Sequence, residues 1–324
     1  MTRAIRLRET GGPDALRWED VDLGKPGNGE IRVRHTAVGL NFMDVYHRKG
    51  TYPLHLPSGI GVEAAGVVED VGPDVEGFEV GDRIVYAGGP PGAYAEARLL
   101  PAARAVNLPD DISDQLAASV FFKGLTVEYL IRRCHTVVAG DVVLWHAAAG
   151  GVGSLACQWL NHIGATVIGT AGTDEKVEHA RNHGCTHPIN YRKDDFVKRV
   201  KDITDGVGVS AVYDSVGKDT ITGSLECIRQ RGILISFGVT SGATPPIDLA
   251  TLGAKGSLYA TRASVAHYTA KRDELLDAAY SLFEMLQGGH LRAESPTIYP
   301  LDRVTQAHAD IEAKKTSGSV ILIP

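Results

Sequence analysis

The sequence predicts an α/β chain of two domains, a mostly antiparallel β barrel followed by a doubly wound parallel sheet. Three observations carry that expectation. Residues 141–170, DVVLWHAAAGGVGSLACQWLNHIGATVIGT, pass from an apolar strand-type run through a turn of small residues into helical spacing, then back to a strand. Beyond them, short apolar runs alternate with helical patterns, as a parallel sheet requires. The first third instead reads as short strands broken by glycine, proline and aspartate. A chain of 324 residues has the length of about two domains.

Residues 4–8, 16–21 and 31–38 run apolar or alternate, and turns separate them at Gly11-Gly12-Pro13 and Lys25-Pro26-Gly27-Asn28-Gly29. Residues 38–53 are polar and aromatic with no clean period. Further strands are expected at 61–71, 81–87 and 93–100, punctuated at Gly72-Pro73-Asp74 and Gly81-Asp82. That pattern suits a barrel-like domain. A helix is expected from Ser113 through Ala117, Ala118, Phe121 and Leu125 to Tyr129. After the central stretch the expected order is helix 175–182, strand 187–190, helix 194–203, strand 211–214, helix 221–229 and strand 233–237. Residues 256–261 read as a strand near the end of the parallel sheet. In the tail, 272–286 and 302–313 are helical and 320–323 is a strand. The tail is assigned to the first domain, because a closing strand needs a sheet to join. The expected division is therefore 1–123, 124–262 and a returning 263–324.

In the central stretch the helical apolar positions are Leu155, Ala156, Trp159, Leu160 and Ile163, and Gly164 stands where the helix should stop. The turn has the form G-x-G-x-x-G, with Ala148 in the first glycine place, then Gly150 and Gly153. Gly150 lets the backbone approach a phosphate, and Gly153 lets the helix pack closely on the sheet. A glycine cluster alone is weak, but this one follows a strand and opens a helix. Backbone N–H groups and a helix N-terminus would then meet a pyrophosphate.

Composition excludes several classes. The net charge of −6, without a block of positive residues, gives no footprint for nucleic acid. Cys134, Cys157, Cys185 and Cys227 lack the paired spacing of a metal site or a disulfide framework, which suits a reducing cytoplasm. Met1 is followed by Arg3, Arg6 and Arg8 with no long apolar run, so neither a leader nor a membrane span is expected.

Six motifs in order carry a resemblance: Gly39-Leu40-Asn41-Phe42-Met43-Asp44, Gly61-Val62-Glu63-Ala64-Ala65-Gly66, Phe122-Lys123-Gly124-Leu125-Thr126, the turn ending at Gly153, Tyr213-Asp214-Ser215-Val216-Gly217 and Ser236-Phe237-Gly238. Through them the chain resembles the zinc-independent medium-chain dehydrogenases/reductases, specifically the bacterial quinone oxidoreductases of zeta-crystallin type. The resemblance implies a GroES-like catalytic domain, a Rossmann domain, a cleft between them, NADPH and a homodimer. Zinc-containing members have a cysteine near the Asn41 segment, a histidine beside the Glu63 position and a later cysteine. Here Asn41 or Asp44 and Val62 stand in those places, no cysteine matches, and no set of about three zinc ligands is evident. No metal is therefore expected, and His146 beside the turn reads as a satisfied strand-end residue.

Without a metal, hydrogen bonds must stabilise the acceptor oxygen. The resemblance implies Asn41 and Tyr46 in that role, with Tyr52 and Arg262 as further lining; Asp44 also reads as a turn-capping carboxylate. It implies cofactor contacts at Asn41, Phe42, Asp44, Thr126, Ala149, Gly150, Gly151, Val152, Gly153, Gly172, Thr173, Lys176, Tyr191, Ser215, Phe237, Gly238 and Lys314. NADPH is expected over NADH. The second strand ends in small uncharged residues from Thr170 to Thr173, and Asp174 reads as a helix cap or first-turn residue rather than a ribose ligand. Lys176 would reach the 2′-phosphate, with Tyr191 and Arg192 closing the pocket. Alternatives are an enal/enone double-bond reductase and, in a different class, a non-catalytic crystallin-like or RNA-binding protein.

Overall fold

The eleven-residue strand Glu30–Leu40 organises the first unit. It pairs antiparallel with Glu63–Val71, with Ala97–Pro101 and with the closing strand Val320–Ile323. Its register against Glu63–Val71 slips between Arg32 and Val33 and again between His35 and Ala37. Such bulges let one strand bend and serve several partners. The sheet runs Thr297–Pro300, Val320–Ile323, Glu30–Leu40, Glu63–Val71, Arg83–Ala87, Ala105–Asn107, and a smaller sheet joins Leu16–Val21, Thr2–Leu7 and Ser58–Gly59. One core fills between them, with Leu7, Ile31, Val33, Ile60, Tyr94 and Leu322 among its members. The computed structural model describes residues 1–324 except Lys314 and Ser317.

The second unit is a six-stranded, all-parallel sheet. Across it the strands lie in the order His187–Asn190, Thr166–Ala171, Val142–Trp145, Val209–Asp214, Ile228–Ser236 and Tyr259–Arg262. By chain order that is 3-2-1-4-5-6, the order of a doubly wound nucleotide-binding sheet. Leu144, Ile168, Ile189, Val212 and Leu234 are buried in its core. Parallel strands buried on both faces read as continuous apolar runs, which is why they were visible in the sequence.

Unit one comprises Met1–Lys123, Thr269–Gln287 and Ala293–Pro324; unit two comprises Gly124–Tyr268 and Gly288–Arg292. Residues 263–268 and 288–292 thus depart from the expected division. Tyr268 stacks on Tyr129 at 4.7 Å, and the Arg292 N–H donates to Gln158 Oε1 at 2.8 Å, which ties both stretches to the second unit.

Three further differences have local causes. A helix, Phe42–Lys49, occupies the segment without a clean period; eight residues give barely two turns of pattern. The helix expected over 221–229 stops at Cys227, and the next strand already begins at Ile228, with Arg231 held left-handed at φ 59°. The expected strand over 256–261 lies at Tyr259–Arg262. Among the described residues, no helix is long and apolar enough to cross a membrane.

Candidate active site

In the second unit the expected residues gather at the carboxyl ends of the parallel strands. Val142–Trp145 runs into the turn, and the helix Gly151–Ile163 starts from Gly150 as its N-cap. The Gly150 N–H closes the turn on the Ala147 carbonyl at 2.9 Å. Ala147, just before the first motif position, carries the positive φ of 56°. A Cβ on Gly153 would stand 2.3 Å from the Ala147 carbonyl oxygen, so only glycine lets the helix sit this close. Ala149, Gly151 and Val152 complete the backbone cradle at the helix N-terminus, the arrangement that binds phosphate.

Gly172 follows the second strand, Tyr191 the third, Ser215 the fourth and Phe237-Gly238 the fifth, while Arg262 closes the sixth. The register aligns these ends, with Ala171 opposite Asn190, Asp214 opposite Ser236 and Ser236 opposite Arg262. Asp214 pins the Ser215 loop by accepting from the Val216 and Gly217 N–H groups, both at 2.9 Å, and from Thr220. Trp145 stacks on Tyr213 at 4.6 Å and lies 5.5 Å from Phe237, which ties the strand ends together. Arg262 lines a depression of 240 Å³ with Thr261, Ala263, Ser264, His267 and Tyr268. Thr126 is buried on the helix Asp114–Glu128. Lys314 lies outside the described residues.

His146 is a structural residue. It is fully buried, with its two ring nitrogens 2.9 Å from Thr170 Oγ1 and Ser224 Oγ, and burial lowers its pKa.

The corner beyond the second strand determines how a ribose would be met. Thr173 is the N-cap of the helix Asp174–Asn182, and its side chain accepts from the Lys176 N–H at 3.2 Å. Asp174 is the first helical residue. Its carboxylate accepts from Lys193 Nζ at 2.5 Å and Asn190 Nδ2 at 2.8 Å, and those two bonds hold its pKa down. A Cβ on Gly172 would meet the Tyr191 hydroxyl at 2.6 Å, so the phenol lies directly over this glycine. Lys176 and Arg192 are exposed, and Tyr191 is half-exposed.

In the first unit Asn41 is the N-cap of the helix Phe42–Lys49, with extended backbone. Its N–H donates to Asp44 Oδ2 at 2.9 Å, the side-chain half of a capping box. Its amide Nδ2 donates to Glu63 Oε2 at 2.8 Å, while the Phe122 N–H donates to Glu63 Oε1 at 2.6 Å. One amide N–H is thereby committed and the amide plane fixed, leaving the second N–H. Glu63 and Asp44 are fully buried. Burial raises the Glu63 pKa against the pull of Lys123, and it pushes Asp44 up to about 7 against the bonds from Asn41 and Tyr94. Tyr46 and Tyr52 are half-buried and meet edge to face at 5.2 Å, and Phe42, one turn before Tyr46, is 6.3 Å from it. Tyr46 therefore stands on a helix rather than in a loop.

Glu63 was not among the expected site residues. Only the fold brings it there: Gly39 and Glu63 are paired across the sheet, and a Cβ on Gly39 would stand 2.3 Å from Glu63 Oε2. The donor set of Asn41, Val62 and Glu63 does not fit tetrahedral zinc. It offers one carboxylate whose two oxygens each already accept an N–H, one amide and an apolar side chain.

A family model of the alcohol dehydrogenase GroES-like domain matches residues 27–110, and one of the zinc-binding dehydrogenase matches residues 151–277. A quinone oxidoreductase of Pseudomonas aeruginosa is 44% identical, with 100% of both chains covered. A 2-haloacrylate reductase of Burkholderia is also 44% identical, over 100% of this chain and 99% of the relative. The crystal structure of Escherichia coli quinone oxidoreductase complexed with NADPH aligns at a TM-score of 0.97 with 44% identity, covering all of both chains.

Proposed function

Because the chain belongs to the quinone oxidoreductase family of medium-chain dehydrogenases/reductases, we propose that it is an NADPH-dependent reductase that passes reducing equivalents to a quinone. The observation that carries the reading is the convergence of the glycine turn, Gly172, Tyr191, Ser215, Phe237 and Arg262 on one end of six parallel strands, where open α/β sheets bind their ligands.

Bound NADPH supplies the hydride. The turn around Gly150 and the helix N-terminus at Gly151 hold its pyrophosphate through backbone N–H groups. Lys176, Tyr191 and Arg192 receive the 2′-phosphate. Asp174 already accepts from Lys193 and Asn190, which weakens its pull on the ribose hydroxyls of NADH. In the first unit the Asn41 amide and Tyr46 orient the acceptor oxygen and donate to it as charge develops, with Tyr52 bracing Tyr46. Reduction of a quinone to the hydroquinone consumes one hydride and one proton, so the acceptor oxygen must be solvated or hydrogen-bonded as it takes up the proton. No metal takes part in this reading, because the Asn41, Val62 and Glu63 donors do not suit one.

The reading includes a cytoplasmic homodimer without nucleic-acid or membrane partners. The scattered cysteines suit a reducing compartment, and the edge strand Tyr259–Arg262 is largely exposed. A second reading, reduction of an activated carbon–carbon double bond, is favoured by the 2-haloacrylate reductase at the same identity. Both reactions deliver hydride to a conjugated system, so pocket size separates them. The deciding experiment follows NADPH oxidation across ortho-quinones, para-quinones, 2-alkenals and 2-haloacrylate, with and without EDTA. Turnover with quinones that EDTA leaves intact supports the first reading. Turnover confined to alkenes moves the assignment to the second, and loss on chelation with recovery on zinc refutes the metal-free site.

A further inference from the structure

Behind the Asn41 segment lies a buried chain of side chains that the reaction described above does not use. Arg48, Tyr94 and His308 are fully buried, and they join Asp44 to the partly exposed Glu312. A guanidinium can only donate, so His308 Nδ1, 3.1 Å from Arg48 Nη1, is the acceptor. The ring proton then belongs on Nε2, 3.0 Å from the Tyr94 oxygen. With that oxygen accepting, the Tyr94 hydroxyl proton is directed onto Asp44 Oδ2 at 2.9 Å, the same oxygen that accepts the Asn41 N–H. The direction of every bond in the series is fixed by its outer member. Arg48 is itself held by Glu312 at 2.5 Å, and Lys49 pairs with the same carboxylate.

We propose that Tyr94 and His308 are positioning residues for the reductase: the series Arg48–His308–Tyr94 presents one oriented donor to Asp44, and Asp44 so held keeps Asn41 in its working orientation. The inference rests on the reductase reading, and it concerns bonds between side chains 50, 214 and 260 positions apart in the chain. Four groups face Asp44 directly or through charge: Asn41 and Tyr94 donate to it, Lys123 favours its ionised form and Glu63 opposes it. Those facing His308 are Arg48, Tyr94 and Glu312; burial and then Arg48 press its pKa down to about 3, so the ring stays neutral and keeps one proton. Asp44, at about 7, is balanced between its two states, and each donor removed from Oδ2 disfavours the carboxylate.

The test is the pH profile of kcat for NADPH oxidation by a para-quinone. Activity should rise through a limb near neutrality as Asp44 ionises. Tyr94→Phe deletes one donor to that carboxylate, and the limb should move up by about one unit. Below the limb kcat should then fall up to about tenfold, converging on the wild type at high pH, with KM for NADPH unchanged. His308→Gln restores both an acceptor for Arg48 and an N–H for Tyr94 and should keep the wild-type limb. A folded Tyr94→Phe enzyme whose limb does not move, or whose loss is the same at every pH, overturns the proposal. An activity-independent readout uses wild-type protein: infrared titration of the buried carboxylic acid band, assigned by Asp44→Asn, should give a midpoint near 7. The midpoint should move up in Tyr94→Phe or, if that variant does not fold, in His308→Ala, which takes from Tyr94 the group that orients its hydroxyl; a midpoint that stays at the wild-type value overturns the proposal. Should no quinone be reduced at all, the reductase reading fails while the infrared titration still decides this one.

Discussion

Lys176 stands in the first turn of the helix Asp174–Asn182, two residues after an aspartate that two neighbours already occupy. A charge-assisted bond to a 2′-phosphate contributes roughly 1.5–3 kcal/mol. Lys176→Ala should therefore weaken NADPH binding by about 10- to 150-fold and leave NADH almost untouched. Fluorescence titration of both cofactors measures this, and equal losses would remove Lys176 from the site. At the acceptor end, Tyr46→Phe deletes only a hydroxyl, and a donor that strengthens in the transition state costs about 2–4 kcal/mol when removed. The loss should fall on kcat as well as kcat/KM. Asn41→Ala is the less clean variant, because it also strips a buried Glu63 oxygen of its donor. It should lower thermal stability along with turnover, whereas Tyr46→Phe with unchanged kinetics would take that phenol off the list.

At the scale of elements, the parallel sheet ends on Tyr259–Arg262, which among the described residues pairs with Ile228–Ser236 alone. Tyr259 is 63% exposed, an unusual position for a large aromatic ring in a short strand. A sheet edge that carries an exposed ring can be covered by pairing with its two-fold mate. Light scattering at micromolar concentration should return twice the 34.5 kDa chain mass, and the single-chain value would exclude this interface. The helix Phe42–Lys49 shows the opposite economy. Its eight residues carry too little apolar pattern to be seen, yet Asn41 and Asp44 stand three apart, at the spacing of a capping box. Capping chemistry, rather than periodicity, was the legible signal there.

At the scale of the whole molecule, buried titratable groups set how stability follows pH. His35 and His308 are buried neutral, with pKa values pressed to about 4 and about 3. Their contribution is present above about 6.5 and is lost as pH falls toward 4, because the unfolded chain binds protons first. Asp44 acts in the other sense. Its folded value of about 7 is raised, so its contribution is present at low pH and is lost as pH rises through 7. The two effects oppose each other between pH 4 and 6.5. Asp44→Asn should steepen the acid loss, read as the urea midpoint against pH. Parallel curves for the variant and the wild type would show that Asp44 carries no such shift.

Local pattern was enough for the parallel sheet and its glycine turn, because buried parallel strands are continuous apolar runs and the turn needs small residues within a few positions. It was enough as well to read Asp174 as a first-turn residue, since Thr173 and the helix beyond it are neighbours in sequence. Tertiary structure alone decided what holds the other candidate site side chains. Glu63 reaches Asn41 from 22 residues away, and His308 reaches Arg48 from 260 away. The withdrawal of Asp174 likewise depends on Lys193, 19 positions on and beyond the next strand. Hydrogen bonds of that span leave no period or spacing in a single chain. They exist only once sheet registers, such as Gly39 opposite Glu63 and Ala171 opposite Asn190, have brought distant backbone into line.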